Sequence, residues 1–162
     1  MPLAIELASP DDYEHIGDLC VRAYLPSGLP SNHPYYDHLA DAGERAEEAV
    51  LLVARMMGRL VGTVTYCPRG SSYREIAADD EGEFRMLAVD PGEQGGGVGQ
   101  ALVEACIERS RADGFHSVVL SSACWMTSAH RLYERLGFIR TPERDWSPRP
   151  GIDLKTYRIE LA

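Results

Sequence analysis

EFRMLAVDPGEQGGGVGQALVEAC, residues 83–106, decides how the rest of the chain is read. It begins as an apolar strand, is stopped by Asp90-Pro91, passes through a glycine-packed turn and opens directly into an amphipathic helix. Gly95, Gly96, Gly97 and Gly99 leave four of five consecutive positions without a side chain. Such a turn leaves several backbone N–H groups unshielded at a helix N-terminus. The orphan donors and the helix dipole together favour an anion there. The stretch therefore predicts a phosphate-binding turn between a strand and a helix.

Upstream of it, Leu3 to Leu7 reads as a short strand, and Ser9-Pro10-Asp11-Asp12 as a helix start with Ser9 as N-cap. Ile16, Leu19, Cys20 and Ala23 give that helix an apolar stripe. Residues 25–36, with three prolines, predict an irregular loop, and an acidic helix follows from Tyr35 to Ala49. Val50 to Met56 and Leu60 to Cys67 read as a hairpin, and residues 69–81 as loop, before a strand from Phe84 to Val89. Downstream, Asp113-Gly114 ends the helix after the turn. A strand from Ser117 to Leu120 and a helix from Ser128 to Leu136, closed by Gly137, come next. Phe138 to Arg140 and Lys155 to Leu161 are the closing strands, joined by an irregular loop, TPERDWSPRPGID. This order predicts an α/β fold in a single domain, residues 1–162. Its mixed central sheet would have about seven strands flanked by about four helices, with a parallel crossover around the glycine turn.

The 44% apolar and 25% charged content is that of an ordinary soluble globular protein. MPLAIELASP has neither a basic start nor a long apolar run, and no stretch approaches a membrane span, so a cytoplasmic protein without membrane contact is expected. Cys20, Cys67, Cys106 and Cys124 are scattered, with no C-x-x-C pair, which points to free thiols and no metal. The net charge of −9 is concentrated in residues 1–50, with ten acids against two arginines. That excludes a nucleic-acid partner. It suits solvated helix faces first, and secondarily the steering of a cationic substrate. Monomer and homodimer both remain open.

Three phosphate motifs compete for the turn. A P-loop has the right glycine spacing from Gly92 to Gly97, but Val98 stands where its lysine belongs. A dinucleotide fingerprint fails at Gln100 or Leu102, and no acid follows the next strand. The surviving pattern is Q-x-x-G-x-G, from Gln94, Gly97 and Gly99, directly after L-A-V-D-P. It resembles the coenzyme A pyrophosphate loop of the GCN5-related N-acetyltransferase (GNAT) family. A second stretch, Ala129-His130-Arg131-Leu132-Tyr133-Glu134-Arg135-Leu136-Gly137-Phe138, is similar to that family's A-x-x-L-Y-E-x-L-G-F helix. The resemblance covers essentially the whole chain. One departure is Met126, where many members have an asparagine.

The resemblance implies acetyl-coenzyme A as co-substrate, a primary amine as acceptor, and direct attack without a covalent enzyme intermediate. Backbone groups of Leu87, Ala88 and Val89 would hold the pantetheine arm. The amides of Gln94, Gly95, Gly96, Gly97, Val98, Gly99 and Gln100 would hold the pyrophosphate, with Ala129 and Tyr133 completing the cofactor contacts. Tyr133 matches the family's general acid, since a phenol is protonated at neutral pH and can donate to a thiolate. Glu83, five residues before Ala88, is the candidate general base; strand alternation puts Glu83, Arg85 and Leu87 on one face, unless a bulge changes the parity. Glu81 and His116 are weaker candidates, and His130 falls on the surface of its helix. Tyr24, Tyr35, Tyr36 and Trp146, with His33 and His38, put polar aromatics in the irregular segments, where acceptor contacts are expected. A small-molecule amine is favoured over a protein lysine or N-terminus. The rival of another class is a non-catalytic acyl-coenzyme A sensor.

Overall fold

The computed structural model describes residues 2–25, 30 and 32–162. Eight strands form one sheet: β1 Leu3–Leu7, β2 Val50–Met56, β3 Arg59–Cys67, β4 Glu81–Val89, β5 Ser117–Ala123, β6 Ile139–Arg140, β7 Trp146–Arg149 and β8 Ile152–Glu160. Their spatial order is β1-β2-β3-β4-β5-β8-β6, with β7 also on β8. Only β4 and β5 pair in parallel among the described residues; the other pairs are antiparallel. Five α-helices accompany the sheet: α1 Tyr13–Tyr24, α2 Pro34–Ala40, α3 Ala42–Ala46, α4 Val98–Ala112 and α5 Thr127–Arg135. This is the mixed α/β architecture that the sequence predicts, with one strand and one helix more.

Both additions have local causes. The acidic helix breaks at Asp41, whose ψ of 70° leaves the helical region and whose side chain accepts the Glu44 N–H at 3.0 Å, capping a second helix. The loop over 141–153 contains β7, which turns back through Gly151, at φ 86°, onto β8. Pro148 and Pro150 disguise this strand, because proline is tolerated on a sheet edge where no ladder N–H is needed. Positions 26–29 and 31 of the expected first loop lie outside the described residues. No helix among the described residues is long and apolar enough to cross a membrane.

The decisive irregularity is in β4. Thr63 opposes Ala88 and Thr65 opposes Arg85, so two steps along β3 match three along β4. Met86, at φ 57°, absorbs the extra residue as a bulge. Side chains exchange faces there: Phe84 and Leu87 both join the core under α4 and α5, whereas Met86 and Ala88 join the core under α1 and α2. Leu87 therefore lies on the face opposite to Glu83 and Arg85, which corrects the simple alternation. Pairing of β4 with β5 ends at Phe84 and Leu120, so the two strands separate just before the bulge.

The sheet is buried on both faces. Alternation along β2 shows it, with Leu51 and Val53 in the α1–α2 core and Leu52 and Ala54 in the α4–α5 core. The turn helix packs tightly: a Cβ on Gly62 of β3 would lie 2.7 Å from Val98 Cγ1. Gly62→Ala is therefore expected to destabilise by about 1–3 kcal/mol through overpacking, read as a lower denaturation midpoint.

Glu81 ties the two halves of the sheet together at its far end. Its carboxylate accepts from Arg144, Arg158 and the Ala78 N–H at 2.9, 3.0 and 3.0 Å. Burial alone would raise its pKa, but Arg144, the Ala78 amide and Arg158 bring it down to about 2 from 4.5. A depressed carboxylate stabilises the fold above its unfolded pKa, so this contribution is complete above about 4.5 and lost as the pH falls towards about 2. Glu81→Gln should cost about 3 kcal/mol at pH 7. Chemical denaturation at pH 7 and pH 3 should show the gap between wild type and variant narrowing at the lower pH.

Candidate active site

The glycine turn opens at Asp90, whose side chain accepts the Gly92 N–H at 2.9 Å. Gly95 and Gly97 take φ of 85° and 87°, the left-handed region that a β-carbon disfavours, and Gly97 is the N-cap of α4. The first main-chain bond of α4 runs from the Ala101 N–H to the Gly97 carbonyl, so the amides of Val98, Gly99 and Gln100 have no helical acceptor. A Cβ at Gly95 or Gly97 would meet nothing within 4 Å. The space at these positions is open, and free amides without side chains over them are the donors that a pyrophosphate requires. Asp90, Glu93 and Arg59 form a salt-bridged edge beside the turn.

The separation of β4 from β5 makes a cleft walled by Tyr24, Phe84, Arg85, Met86, Leu87, Ser121, Ser122, Ala123, Met126 and Tyr133. From Arg85 onward, β4 has no partner on its β5 side, so its backbone edge faces this cleft unpaired. An extended pantetheine-like arm fits such an edge as an added strand. Tyr133 is 3% exposed and packs against Phe84, Phe138 and Tyr157, with ring centroids 5.7–6.0 Å away. Its hydroxyl makes no hydrogen bond to a described residue. Burial pushes its pKa well above the ordinary 10, with Cys106 and Tyr157 adding to the shift, so it holds its proton throughout the physiological range. Gly99 links the two motifs: its Cβ position lies 3.1 Å from Leu132 Cδ2, so the turn and α5 are in direct contact.

A second cavity of about 420 Å³ adjoins the cleft, lined by Tyr35, His38, Ser72, Tyr73, Glu75, Arg85, Pro148 and Arg149. Arg85 belongs to the walls of both and so marks where they meet. Its Nε lies 3.0 Å from Glu75 Oε1, and Nη1 donates to the Tyr73 carbonyl at 3.2 Å. Burial raises the Glu75 pKa, Arg85 opposes this, and Glu83 adds to it. Burial lowers the His38 pKa, helped by Arg85, Arg45 and Arg149, which keeps its imidazole neutral at pH 7.

The structure places the remaining candidates as follows. Glu83 is fully buried, lines neither cavity, and accepts the amides of Glu75, Ile76 and Ala77 at Oε1 at 2.9, 3.2 and 3.2 Å. Its Oε2 has no partner, and burial raises its pKa against those three amides and Arg85. Leu87 is in the cleft, while Ala88 is buried on the other face and Val89 leads into the turn. Ala129 is half-buried on α5, one turn before Tyr133. Tyr24 lines the cleft and Tyr35 the second cavity. Tyr36 lies in the core, and Trp146 donates from Nε1 to Ser121 Oγ at 3.0 Å; neither lines a cavity. His130, expected on the surface, is 7% exposed, with Nε2 3.1 Å from the Ala123 carbonyl. Packing of α5 over β5 and β8 overrides its helical position. Glu75, Arg85 and Arg149, which line the second cavity, were not singled out from sequence. They come from a polar loop, a strand and a masked hairpin, and no spacing connects them.

The family model for the acetyltransferase (GNAT) family matches residues 13–138. Mycothiol acetyltransferase of Cellulomonas flavigena is 34% identical over 120 residues, covering 68% of this chain and 34% of that protein. N-acetylaspartate synthetase of Danio rerio is 33% identical over 100 residues, covering 62% and 33%. The chain thus spans about a third of the length of these curated relatives. Among solved structures, the Salmonella typhimurium protein YncA, determined with its cofactor acetyl-CoA, superposes with a TM-score of 0.70 at 22% identity over 99% of this chain and 94% of that one. The fold is shared with that protein, and by the family match over most of its length the chain belongs to the acetyltransferase (GNAT) family.

Proposed function

We propose that the chain is one N-acetyltransferase domain that moves an acetyl group from acetyl-coenzyme A to the primary amine of a small molecule. The observation that carries this reading is the cleft. The β4 edge left unpaired from Arg85 onward runs into the amide turn, and Tyr133 stands on the same wall. Acetyl-coenzyme A supplies the activated acetyl thioester. The amides of residues 94–100 bind its pyrophosphate, and the edge at Leu87 to Val89 aligns its arm.

The acceptor enters through the second cavity and meets the donor at Arg85. The amine nitrogen bonds to the acetyl carbon as the carbon–sulfur bond breaks. Tyr133 gives its proton to the departing thiolate, and a cavity carboxylate takes the proton lost by nitrogen. Of the two acids nearby, Glu75 faces the cavity, while Glu83 holds the loop that presents it. Glu83, the base suggested from sequence, is then a positioning residue. The cavity's size suits a small acceptor, since pockets for small ligands run from about 300 to 1,000 Å³.

Thiol release from acetyl-coenzyme A with a panel of amines tests the reading, alongside calorimetric binding of acetyl-coenzyme A. Turnover with at least one amine supports it; binding without any turnover selects the sensor instead. Glu75→Gln should lower kcat about 100-fold with little change in the KM for acetyl-coenzyme A. An unchanged kcat would remove Glu75 as the base.

A further inference from the structure

The second cavity has a charge pattern that acetyl transfer alone does not require. Its walls carry two guanidinium groups, Arg85 and Arg149, against one carboxylate, Glu75. Arg85 and Glu75 pair with each other, and His38 is neutral, which leaves Arg149 as the surplus charge. This local excess stands in a chain whose net charge is −9, so it does not follow from composition.

Arg149 also stands at the cavity wall without a charged partner. It ends β7 opposite Ile152, and its guanidinium carbon sits 5.2 Å from the centre of the Tyr35 ring. It makes no hydrogen bond or ion pair with a described residue. The contact with the ring leaves the guanidinium N–H groups without a protein acceptor, and such a group can donate two parallel hydrogen bonds to a carboxylate. Tyr35 and Tyr73 line the same cavity and put aromatic surface beside it.

We propose that the acceptor amine also carries a carboxylate, as an amino acid does, and that Arg149 binds it. This rests on the reading of the cavity as the acceptor side of an acetyl transfer. A carboxylate on Arg149 orients the amine towards Arg85 and the donor cleft. The same positive field turns away polycationic amines, contrary to the cationic substrate that the acidic first third of the chain suggests.

The test uses the full chain and amino acids with one to four carbons between nitrogen and carboxylate, each paired with its own carboxamide. In the thiol-release assay, at least one acid should exceed its amide about 100-fold in kcat/KM, mainly through KM. Arg149→Met should bring the pair to near parity, and Arg149→Lys should restore part of the preference. Equal use of acids and amides by the wild type would overturn the proposal, as would an unchanged ratio in Arg149→Met. If no compound releases thiol although acetyl-coenzyme A binds, the transfer reading fails on its own. The same panel is then titrated calorimetrically against the coenzyme A complex. Acid binding that Arg149→Met abolishes supports the carboxylate site, and absent or Arg149-independent binding overturns it.

Discussion

Gly97→Val is expected to abolish coenzyme A binding while leaving the protein folded. Two effects separate cleanly at this position. The residue sits at φ 87°, so any side chain adds strain of about 1–2 kcal/mol, more for a β-branched one. No atom lies within 4 Å of its Cβ position, so the valine does not disturb the core. The isopropyl group instead fills the space above the open amides of α4, where the pyrophosphate belongs. Calorimetry should show affinity for acetyl-coenzyme A reduced by at least about 100-fold, since one buried charge-assisted bond is already worth about 1.5–3 kcal/mol. Gly62→Ala provides the contrast, a glycine whose substitution acts by overpacking against Val98 and Leu102 and so costs stability first. Undiminished binding by Gly97→Val would move the pyrophosphate elsewhere.

Tyr133→Phe should reduce kcat about 100-fold, near the lower end for general acid catalysis, because a thiolate is a tolerable leaving group even without a proton. The KM for acetyl-coenzyme A should stay nearly constant. Stability should hardly change: the phenol oxygen has no hydrogen-bond partner to orphan, and the ring contacts with Phe84, Phe138 and Tyr157 survive the substitution. A loss of rate in Tyr133→Phe is thus chemical and not a folding defect. Because burial raises the pKa of this phenol, wild-type kcat should show no fall from its ionisation as the pH passes 10. A rate equal to wild type would take Tyr133 out of the proposed mechanism.

The donor side was legible because its chemistry uses backbone. Amides at a helix start need glycines in consecutive positions, and a tyrosine that must reach the cleft needs a fixed helical spacing from the residues that pack α5. Both constraints are local, so the glycine turn before α4 and the helix that carries Tyr133 could be read without a structure. The β7 strand was hidden because its prolines are those of a loop, and only pairing with β8 explains them. His130 was misplaced because the burial of a helix face depends on what lies beneath it.

The acceptor side depends on contacts between distant residues. Glu75, Arg85 and Arg149 come from three elements that meet only when the sheet folds, and nothing in their spacing announces the cavity. Glu83 shows the same limit. The sequence places a carboxylate beside the reaction, and the structure turns it towards three amides of the loop that carries Glu75. The Met86 bulge is as invisible in the sequence, and one added residue there reverses the faces that Met86 and Leu87 take relative to Glu83. The sequence by itself determined the α/β fold, the family and the donor turn, because these follow from local backbone geometry and hydrophobic period. Tertiary structure alone decided that Glu75, Arg85 and Arg149 share one cavity while Glu83 is turned away from it, because strand register and side-chain direction are set by packing across the whole sheet.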